Sequence, residues 1–376
     1  MNLDDRWTTI LEELRAAGRY RRLDAPRGLD LSSNDYLGHG RKPPPDCKLP
    51  GSGLSSRLVH GQHPTWDKVE SELAGWHACE AALVFTSGYV ANEGLLATIL
   101  EPGDFVASDE LNHASIVDGI RLGRAEKFIF RHNDLEHLKH GLLAARQRQS
   151  AGRQLFVVTE SLFGMDGDLT PLAEIVEICQ RFQAHLIVDE AHATGCFGPE
   201  GAGRIAEAGL RQHVLATVHT GGKALGVAGA YVCGSPRLRE LLINRCRHFI
   251  YTTALPAALS DWWLHALART RADDDGRRRL HEVAGHFRRE LARHGVDAAG
   301  TGYIVPIVVG ADAEATAAAA RLQALGFDIR AIRPPSVPAG TARLRVSIHA
   351  DHDMDVLTLA AAAIAHVLTP TPLSIS

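Results

Sequence analysis

The stretch HTGGKALG, from His219 to Gly226, places a single lysine, Lys223, between two apolar runs. These runs, VLATVHT and GVAGAYVCG, are typical of buried strands, where lysine is uncommon. A phosphate-binding loop of the form G-x-x-x-x-G-K-[ST] is excluded, because Thr217 stands at its first glycine position and Ala224 follows the lysine. The alternatives that remain are a solvated surface lysine and a lysine that forms a covalent imine with a carbonyl group.

Polar side chains end the other apolar runs as well. Ligands of open α/β sheets bind beyond the carboxyl ends of the strands, so we expect these residues to lie close together. In FTSGYVANEG a strand leads directly into a helix, an arrangement whose free backbone N–H groups bind phosphate. The polar set consists of Ser87, Gly88, Tyr89, His113, Glu160, Asp189, His192, Thr220 and Lys223.

A phosphate cradle, a carboxylate, a histidine and a lone lysine together indicate pyridoxal 5'-phosphate bound as a Schiff base. Lys223 supplies the amine for the cofactor aldehyde. Asp189 supplies the negative charge that keeps the pyridine nitrogen protonated, which a neutral asparagine would not do. About one strand–helix–strand unit separates Asp189 from Lys223, so we expect them on neighbouring strands.

The elements that must position these residues alternate between strands and helices from Asp67 to Gly234. In TPLAEIVEICQRFQ, Thr170 is predicted to cap a helix, Pro171 to occupy its first turn, and the apolar residues to share one face. Repeated strand–helix–strand units predict parallel strands. The fold class is therefore predicted to be α/β, with a large, mostly parallel sheet covered by helices on both faces.

After YTTALP the sequence pattern changes and predicts long helices with a few strands between them. We predict three parts: residues 1–40 form an N-terminal helix and extended segment, 41–258 a large cofactor-binding α/β domain, and 259–376 a small C-terminal α+β domain.

Composition excludes several classes of function. The chain of 376 residues has a net charge of -4 and a pI of about 6.6, which gives no global reason to bind nucleic acid or membranes. The N-terminus has no apolar signal stretch, and no run reaches the ~18 apolar residues of a membrane span. The six cysteines form no C-x-x-C pair, and the histidines of HEVAGH have the wrong spacing for zinc. We predict a cytoplasmic protein without a metal site.

A series of motifs runs over nearly the whole length of the sequence: SSNDYLG, GSGLSSRLVHG, FTSGYVAN, LNHASIVDG, VTESLFGMDGD, VDEAHATG, HTGGKALG, YTTALP and AIRPPSVPAGTARLRVSIHADHDMD. In these motifs the sequence resembles the α-oxoamine synthases, fold-type I pyridoxal-phosphate enzymes that join an amino acid to an acyl thioester. Within this family, IRPPSVPAGTARLR is most similar to the members that condense L-alanine with a pimeloyl thioester in biotin biosynthesis. The resemblance implies a decarboxylative condensation on a fold-type I transferase fold.

The resemblance also implies roles for single residues. Lys223 matches the Schiff-base lysine, which also carries the proton of the substrate Cα. Asp189 matches the partner of the pyridine nitrogen, and His113 matches the imidazole that stacks on the cofactor ring. These three are the candidate catalytic residues. His192 matches the residue that hydrogen-bonds the cofactor's phenolic oxygen.

The phosphate of the cofactor is expected to bind Thr220 and the backbone of Ser87, Gly88 and Tyr89, and Glu160 belongs to the same cofactor-binding set. Thr252 and Thr253 match residues that complete this phosphate site from the second subunit. A homodimer with shared active sites is therefore implied.

For the substrates, Asn34 and Arg345 match the groups that hold the amino-acid carboxylate, since the fork of an arginine binds a carboxylate through two parallel hydrogen bonds. Arg21 and Arg333 are candidates for binding the acyl substrate. The acyl carrier is either coenzyme A or acyl carrier protein, and the basic segment GRYRR suits both.

Three residues depart from the family pattern: Gly164 in place of a serine, His60 in place of a small hydroxyl residue, and Trp66 in place of a histidine. Two alternatives stay open. The first is an α-oxoamine synthase that uses glycine or serine with another acyl-CoA. The second is a cofactor-binding protein that has lost catalysis, against which the presence of Lys223, Asp189, His113 and Arg345 argues.

Overall fold

The structure is a computed structural model that describes residues 2–42, 46–148 and 152–369. The chain forms two compact units. The large unit comprises Leu37–Phe163 and Leu169–Arg277, and the small unit comprises Met1–Tyr36, Gly164–Asp168 and Arg278–Ser376. The domain boundaries expected from the sequence, after residues 40 and 258, stay predictions.

Helices and strands alternate through most of the described chain. The α-helices are α1 Leu3–Ala16, α2 Pro64–Trp76, α3 Gly88–Ile99, α4 Ala114–Gly123, α5 Leu135–Gln147, α6 Leu172–Phe182, α7 Arg204–Glu207, α8 Pro236–Arg245, α9 Arg247–Ile250, α10 Ala257–Ala272, α11 Asp274–Arg293, α12 Asp312–Ala324 and α13 Met354–Leu368. A π-helical turn covers Arg57–Gly61, and 3-10 turns cover Pro199–Gly201 and Arg211–His213. Among the described residues, no helix has both the length and the apolar character needed to cross a membrane.

Within the described residues, the strands form one large sheet and two small ones. They are β1 Leu29–Asp30, β2 Ala81–Phe85, β3 Phe105–Asp109, β4 Glu126–Phe130, β5 Leu155–Glu160, β6 His185–Asp189, β7 Ala216–Thr220, β8 Ala230–Gly234, β9 Ile304–Gly310, β10 Phe327–Asp328, β11 Arg330–Ile332 and β12 Ala342–Ser347.

The large unit contains a seven-stranded sheet in the order β2-β8-β7-β6-β5-β3-β4. The pairs from β7 through β4 are parallel, and β8 alone runs antiparallel to both of its neighbours. The predicted large, mostly parallel sheet is therefore confirmed. As expected, β6 and β7, which precede the Asp189 and Lys223 motifs, are direct neighbours.

Helices cover both faces of this sheet, because the strand side chains are apolar on both sides. On one face, α3, α4 and α8 contribute Leu95, Ile116 and Leu238 to a buried cluster with the strands. On the other face, α5 and α6 contribute Leu138 and Ile175. The expected two-sided covering is thus observed.

The start of α6 differs from the sequence prediction. Pro171, not Thr170, is the residue at the N-cap, and no side chain caps the helix. The Thr170 hydroxyl instead donates to the carbonyl oxygen of Glu160. Because Thr170 is almost fully buried, its hydroxyl serves the tertiary structure and not the first turn of the helix. The predicted apolar face is present, and Val176 and Cys179 are buried on it.

The small unit contains an antiparallel three-stranded sheet, β11-β12-β9, and a short parallel pair of β1 with β10. Helix α12 packs against β9, β11 and β12 and against α13. The side chains of β12 are all buried, which fixes the arginines that this strand carries.

Candidate active site

The first component of the site is the N-terminus of α3. This helix begins at Gly88 directly after β2, and the Ser87 side chain caps it by accepting from the backbone N–H of Val90 at 3.3 Å. Thr220, at the end of β7, lies beside it: a Cβ placed on Gly88 would be 3.8 Å from the Cβ of Thr220. Helix N-termini present unpaired N–H donors, so these residues form a place where an anion can bind.

The side chain of Tyr89 does not contribute to this anion site. Its hydroxyl donates to the carboxylate of the half-buried Asp118. Only its backbone N–H, in the first turn of α3, belongs to the expected phosphate cradle.

The second component is a pair of carboxyl groups at the ends of adjacent strands. Glu160 on β5 and Asp189 on β6 stand opposite each other in register, and both are buried. Asp189 Oδ1 accepts from the backbone N–H of Ala191 at 2.7 Å, and its Oδ2 accepts from Nδ2 of Asn92 at 2.6 Å. Both oxygens of Asp189 are thus held in place.

The third component is His113, which caps helix α4. Its Nδ1 lies 2.7 Å from the hydroxyl of Ser115, and its backbone N–H donates to Oε1 of Glu160 at 2.7 Å. The residue is exposed at its surface, but partial desolvation of the imidazole lowers the pKa of His113 below its usual value, although the charge of Asp189 acts in the opposite direction. His113 is consequently a neutral imidazole near physiological pH.

The fourth component is Lys223, in the turn that follows β7. Its Nζ lies 2.8 Å from Nε2 of the buried His192. The charges of Lys223 and Asp189 both act on His113 and on Glu160, which places the four groups within electrostatic range of one another. The large unit thus brings together Lys223, His192, Asp189, Glu160 and His113.

The carboxyl group of Glu160 has a raised pKa. Burial, reinforced by the charge of Asp189, raises its pKa to about 8, so the folded protein holds this carboxyl protonated at neutral pH. An acid whose pKa is raised on folding stabilises the protein below its unfolded pKa, and this stability is lost as the pH rises toward the folded pKa.

We therefore expect the free energy of unfolding of the cofactor-free protein to fall between about pH 5 and pH 8, with a contribution from Glu160 of up to about 5 kcal/mol. Denaturant titrations at several pH values measure the free energy of unfolding. The contribution of Glu160 is the difference between wild type and Glu160→Gln, whose side chain cannot titrate. The exposed Glu136 supplies the control variant Glu136→Gln, which should follow wild type. An equal pH dependence in wild type and Glu160→Gln would contradict the raised pKa.

A second buried cluster, His77, His219 and Cys233, has ligand atoms close enough together for a metal ion. Both ring nitrogens of His77 already have partners, the carbonyl of Ala202 at 3.0 Å and the hydroxyl of Tyr231 at 2.7 Å. The ring nitrogens of His219 lie 2.7 Å from two threonine hydroxyls. The two imidazole rings also face each other at 4.0 Å, a geometry that does not direct both toward one ion. The cluster is a hydrogen-bonded network of neutral side chains.

In the small unit, Arg345 and Asn34 are in direct contact. Arg345 Nη2 donates to Oδ1 of Asn34 at 2.9 Å, and its other nitrogens donate to the carbonyl of Gly164 at 2.5 Å and to the hydroxyl of Ser347 at 2.7 Å. The two residues expected to bind the amino-acid carboxylate are therefore in contact within one unit. Gly164, one of the departures from the family pattern, contributes a backbone acceptor to it.

Arg21 and Arg333 line one cavity of the small unit, with a volume of about 560 Å³. Arg333 donates to the carbonyl of Gly18, and Arg21 donates weakly to that of Pro334 at 3.4 Å. The same cavity is lined by Arg15, Arg22 and Arg330. It is a basic cavity suited to an anionic group.

The remaining predicted residues lie elsewhere. Thr252 and Thr253 follow α9, and Thr252 lines a small cavity beside Trp66. Trp66 is buried in the core next to α10, so this departure from the family pattern is a packing residue. His60 is exposed in the π-helical turn.

Two residues of the site were missed at the level of sequence. Asn92 and Ser115 both lie within motifs that carried the resemblance, FTSGYVAN and LNHASIVDG, but no spacing marked them as polar partners of Asp189 and His113. Helical periodicity gives the only signal: Asn92 stands one turn after Gly88 on α3, and so on the same face of the helix.

Comparisons with known proteins show the family of the chain. The family described as aminotransferase class I and II matches residues 26–364. An 8-amino-7-oxononanoate synthase from Anaeromyxobacter dehalogenans is 45% identical over 353 residues, which are 92% of this chain and 87% of the relative. The resemblance found in the sequence is confirmed.

Solved structures agree on the fold. A serine palmitoyltransferase from S. paucimobilis, with a bound PLP–myriocin aldimine, has a TM-score of 0.88 and 27% identity, and the match covers 98% of each chain. An 8-amino-7-oxononanoate synthase from Francisella tularensis has a TM-score of 0.74 and 27% identity, over 90% of this chain and 97% of that one. The expected fold-type I fold is confirmed.

The residues present fit pyridoxal 5'-phosphate. The anion site at α3, the fixed carboxylate of Asp189 and the amine of Lys223 match the phosphate, pyridine nitrogen and aldehyde of this cofactor. The cofactor of the protein is accordingly pyridoxal 5'-phosphate. The chain belongs to the aminotransferase class I and II family and, within it, to the 8-amino-7-oxononanoate synthases.

Proposed function

We propose that the protein condenses L-alanine with a pimeloyl thioester to give 8-amino-7-oxononanoate, carbon dioxide and a free thiol, as a step of biotin biosynthesis. The reaction forms one carbon–carbon bond at the alanine Cα. It breaks the thioester bond and the bond to the alanine carboxyl group. The observation that carries the proposal is the assembly of Lys223, His192, Asp189 and His113 at one sheet edge in a chain 45% identical to such a synthase.

In this proposal Ser87, Gly88, Tyr89 and Thr220 hold the phosphate of the cofactor, Asp189 pairs with its pyridine nitrogen, and His192 serves its phenolic oxygen. His113 is the imidazole against the cofactor ring, and the protonated Glu160 keeps the backbone of His113 in position. When bound, the cofactor supplies the electron sink that stabilises negative charge at the alanine Cα.

Lys223 moves the proton at Cα. A neutral amine is required for this, and a neighbouring imidazole 2.8 Å away can accept or return a proton at Nζ. His192 is buried, whereas Lys223 is partly exposed. Lys223 and His192 therefore lie within the distance of a direct proton transfer.

Arg345 and Asn34 are proposed to bind the alanine carboxylate. Arg345→Lys replaces a two-pronged donor with a point charge, so we expect the KM for alanine to rise by roughly 10- to 100-fold, in keeping with the ~1.5–3 kcal/mol of a charge-assisted hydrogen bond. Initial rates at varied alanine concentration measure this.

The matched control is Arg343→Lys on the same strand, where the arginine pairs with Asp166. It should leave the KM for alanine near the wild-type value. An unchanged KM in Arg345→Lys would refute the role of Arg345, provided that thermal unfolding shows both variants folded.

Arg21 and Arg333 are proposed to serve the acyl substrate, from coenzyme A or from acyl carrier protein. Both carriers bear phosphate, and the arginines that line the cavity of the small unit suit an anion.

We also propose a homodimer in which Thr252 and Thr253 complete the phosphate site of the partner. The six cysteines are free thiols, which supports a reducing compartment such as the cytoplasm.

The reaction is tested by incubating the cofactor-loaded protein with pimeloyl-CoA or pimeloyl-acyl carrier protein and one amino acid at a time. The proposal predicts a product with the mass of 8-amino-7-oxononanoate and one thiol released per product, with alanine preferred over glycine and serine. The fold similarity to a serine palmitoyltransferase makes serine the informative competitor. A clear preference for serine or glycine would replace the alanine assignment.

A further inference from the structure

Asn92 lies at the centre of a hydrogen-bonded chain that connects two proposed cofactor contacts. It is buried on α3, one helical turn after Gly88. Its Nδ2 donates to Oδ2 of Asp189 at 2.6 Å and to the hydroxyl of Ser115 at 3.1 Å. A side-chain amide carries two N–H donors on one nitrogen, so both are used.

The chain continues from Ser115 to His113. Because the Ser115 oxygen accepts from Asn92, its own O–H can donate to Nδ1 of His113 at 2.7 Å. The backbone N–H of Ser115 points to the same Nδ1 at 3.2 Å. With two donors directed at Nδ1, the proton of the neutral imidazole belongs on Nε2.

The charged groups shown to act on this hydrogen-bonded series belong to the site. Asp189 and Lys223 act on His113 through their charges, and Oε1 of Glu160 accepts from the backbone N–H of His113. The ring of Tyr89 meets the imidazole edge to face at 6.0 Å. Nδ2 of Asn92 is the first donor of this series of hydrogen bonds, because this nitrogen can donate but cannot accept.

We propose that Asn92 is a positioning residue whose single amide orients the carboxylate of Asp189 and, through Ser115, fixes His113 as the Nε2–H tautomer. The proposal rests on the proposed function only in that it takes Asp189 and His113 to be cofactor contacts. In this proposal α3 supplies both the phosphate site, at Gly88, and the residue that orients Asp189, because Gly88 and Asn92 lie one turn apart on this helix.

The first test uses wild-type protein without cofactor and needs no substrate. Nitrogen-15 NMR of histidine-labelled protein, with the His113 signals identified by their loss in His113→Asn, distinguishes the two tautomers. The proposal predicts the Nε2–H form, and Ser115→Ala should shift the Nδ1 resonance of His113. A wild-type His113 protonated on Nδ1 would overturn it.

The second test measures the affinity for pyridoxal 5'-phosphate. Asn92→Ala removes the donor, and Asn92→Asp, of the same shape, sets a second carboxyl against Asp189. We expect each variant to bind the cofactor at least about tenfold more weakly, the scale of a lost hydrogen bond to a charged group, and Ser115→Ala to weaken binding less than either. The exposed Asn244 gives the control Asn244→Ala, which should match wild type.

Folding is monitored by thermal unfolding of each variant. Wild-type affinity in a folded Asn92→Ala protein would overturn the proposal, and if that variant does not fold, the tautomer of the wild-type His113 decides alone. Neither readout involves alanine or a thioester, so a failure of the proposed reaction would leave both results standing, and a failure here would leave the reaction assay unaffected.

Discussion

Lys223→Ala is expected to lower kcat by roughly 10³-fold or more, the scale seen when the covalent group of an enzyme is removed. The reason is that Lys223 is the amine of the site and the proposed carrier of the Cα proton, and its neighbour His192 cannot replace an amine in an imine. The rate of thiol release measures the loss. The variant should also fail to retain cofactor covalently after borohydride reduction and denaturation.

Two variants make this test specific. Lys223→Arg keeps the positive charge but has no nucleophilic amine, so it should be as inactive as Lys223→Ala. Lys127→Ala removes an exposed lysine from β4 and should be as active as wild type. Turnover within tenfold of wild type in Lys223→Ala would refute the covalent role.

The second large effect is expected for Asp189→Asn. This change keeps the shape and removes the charge that faces the proposed pyridine nitrogen. An adjacent opposite charge shifts a pKa by roughly 1 to 3 units, worth up to about 4 kcal/mol, so kcat should fall by roughly 10- to 10³-fold. Steady-state kinetics with saturating cofactor measures the fall.

In the Asp189→Asn variant the new side-chain amide would also meet the amide of Asn92. An asparagine can turn its single oxygen toward either Asn92 or the backbone N–H of Ala191, so one of these two donors loses its acceptor. Thermal unfolding therefore accompanies the kinetics, to show that the variant is folded under the assay conditions. Asp297→Asn, an exposed neutralisation in the small unit, controls for the change in net charge. If Asp189→Asn turned over as fast as Asp297→Asn, the carboxylate would have no electrostatic role in the reaction.

Much of the large unit follows from local sequence patterns. Strands buried on both faces are continuous apolar runs, so the polar residues that end them, such as Glu160, Asp189 and Thr220, are visible in the sequence. Parallel strands then bring these ends to one edge of the sheet. The neighbouring positions of β6 and β7 followed from the length of one strand–helix–strand unit.

The parts that sequence reasoning missed depend on tertiary contacts between side chains. Asn92 and Ser115 lie on different helices, and nothing local shows that their amide and hydroxyl meet. The hydroxyl of Thr170 had a local reason to cap α6, but burial gave it the carbonyl of Glu160 instead. Likewise, the raised pKa of Glu160 arises from burial beside Asp189, which only the register of β5 and β6 reveals.

The most direct test of the account follows the carbon atoms of alanine. Cofactor-loaded protein is given pimeloyl thioester and L-alanine labelled with carbon-13 at the carboxyl group or, separately, at Cα. The account predicts that the Cα label appears in 8-amino-7-oxononanoate and that the carboxyl label appears only in carbon dioxide, in equal amounts with the released thiol. A product that retains the carboxyl label, or thiol release without labelled carbon dioxide, would contradict a decarboxylative condensation.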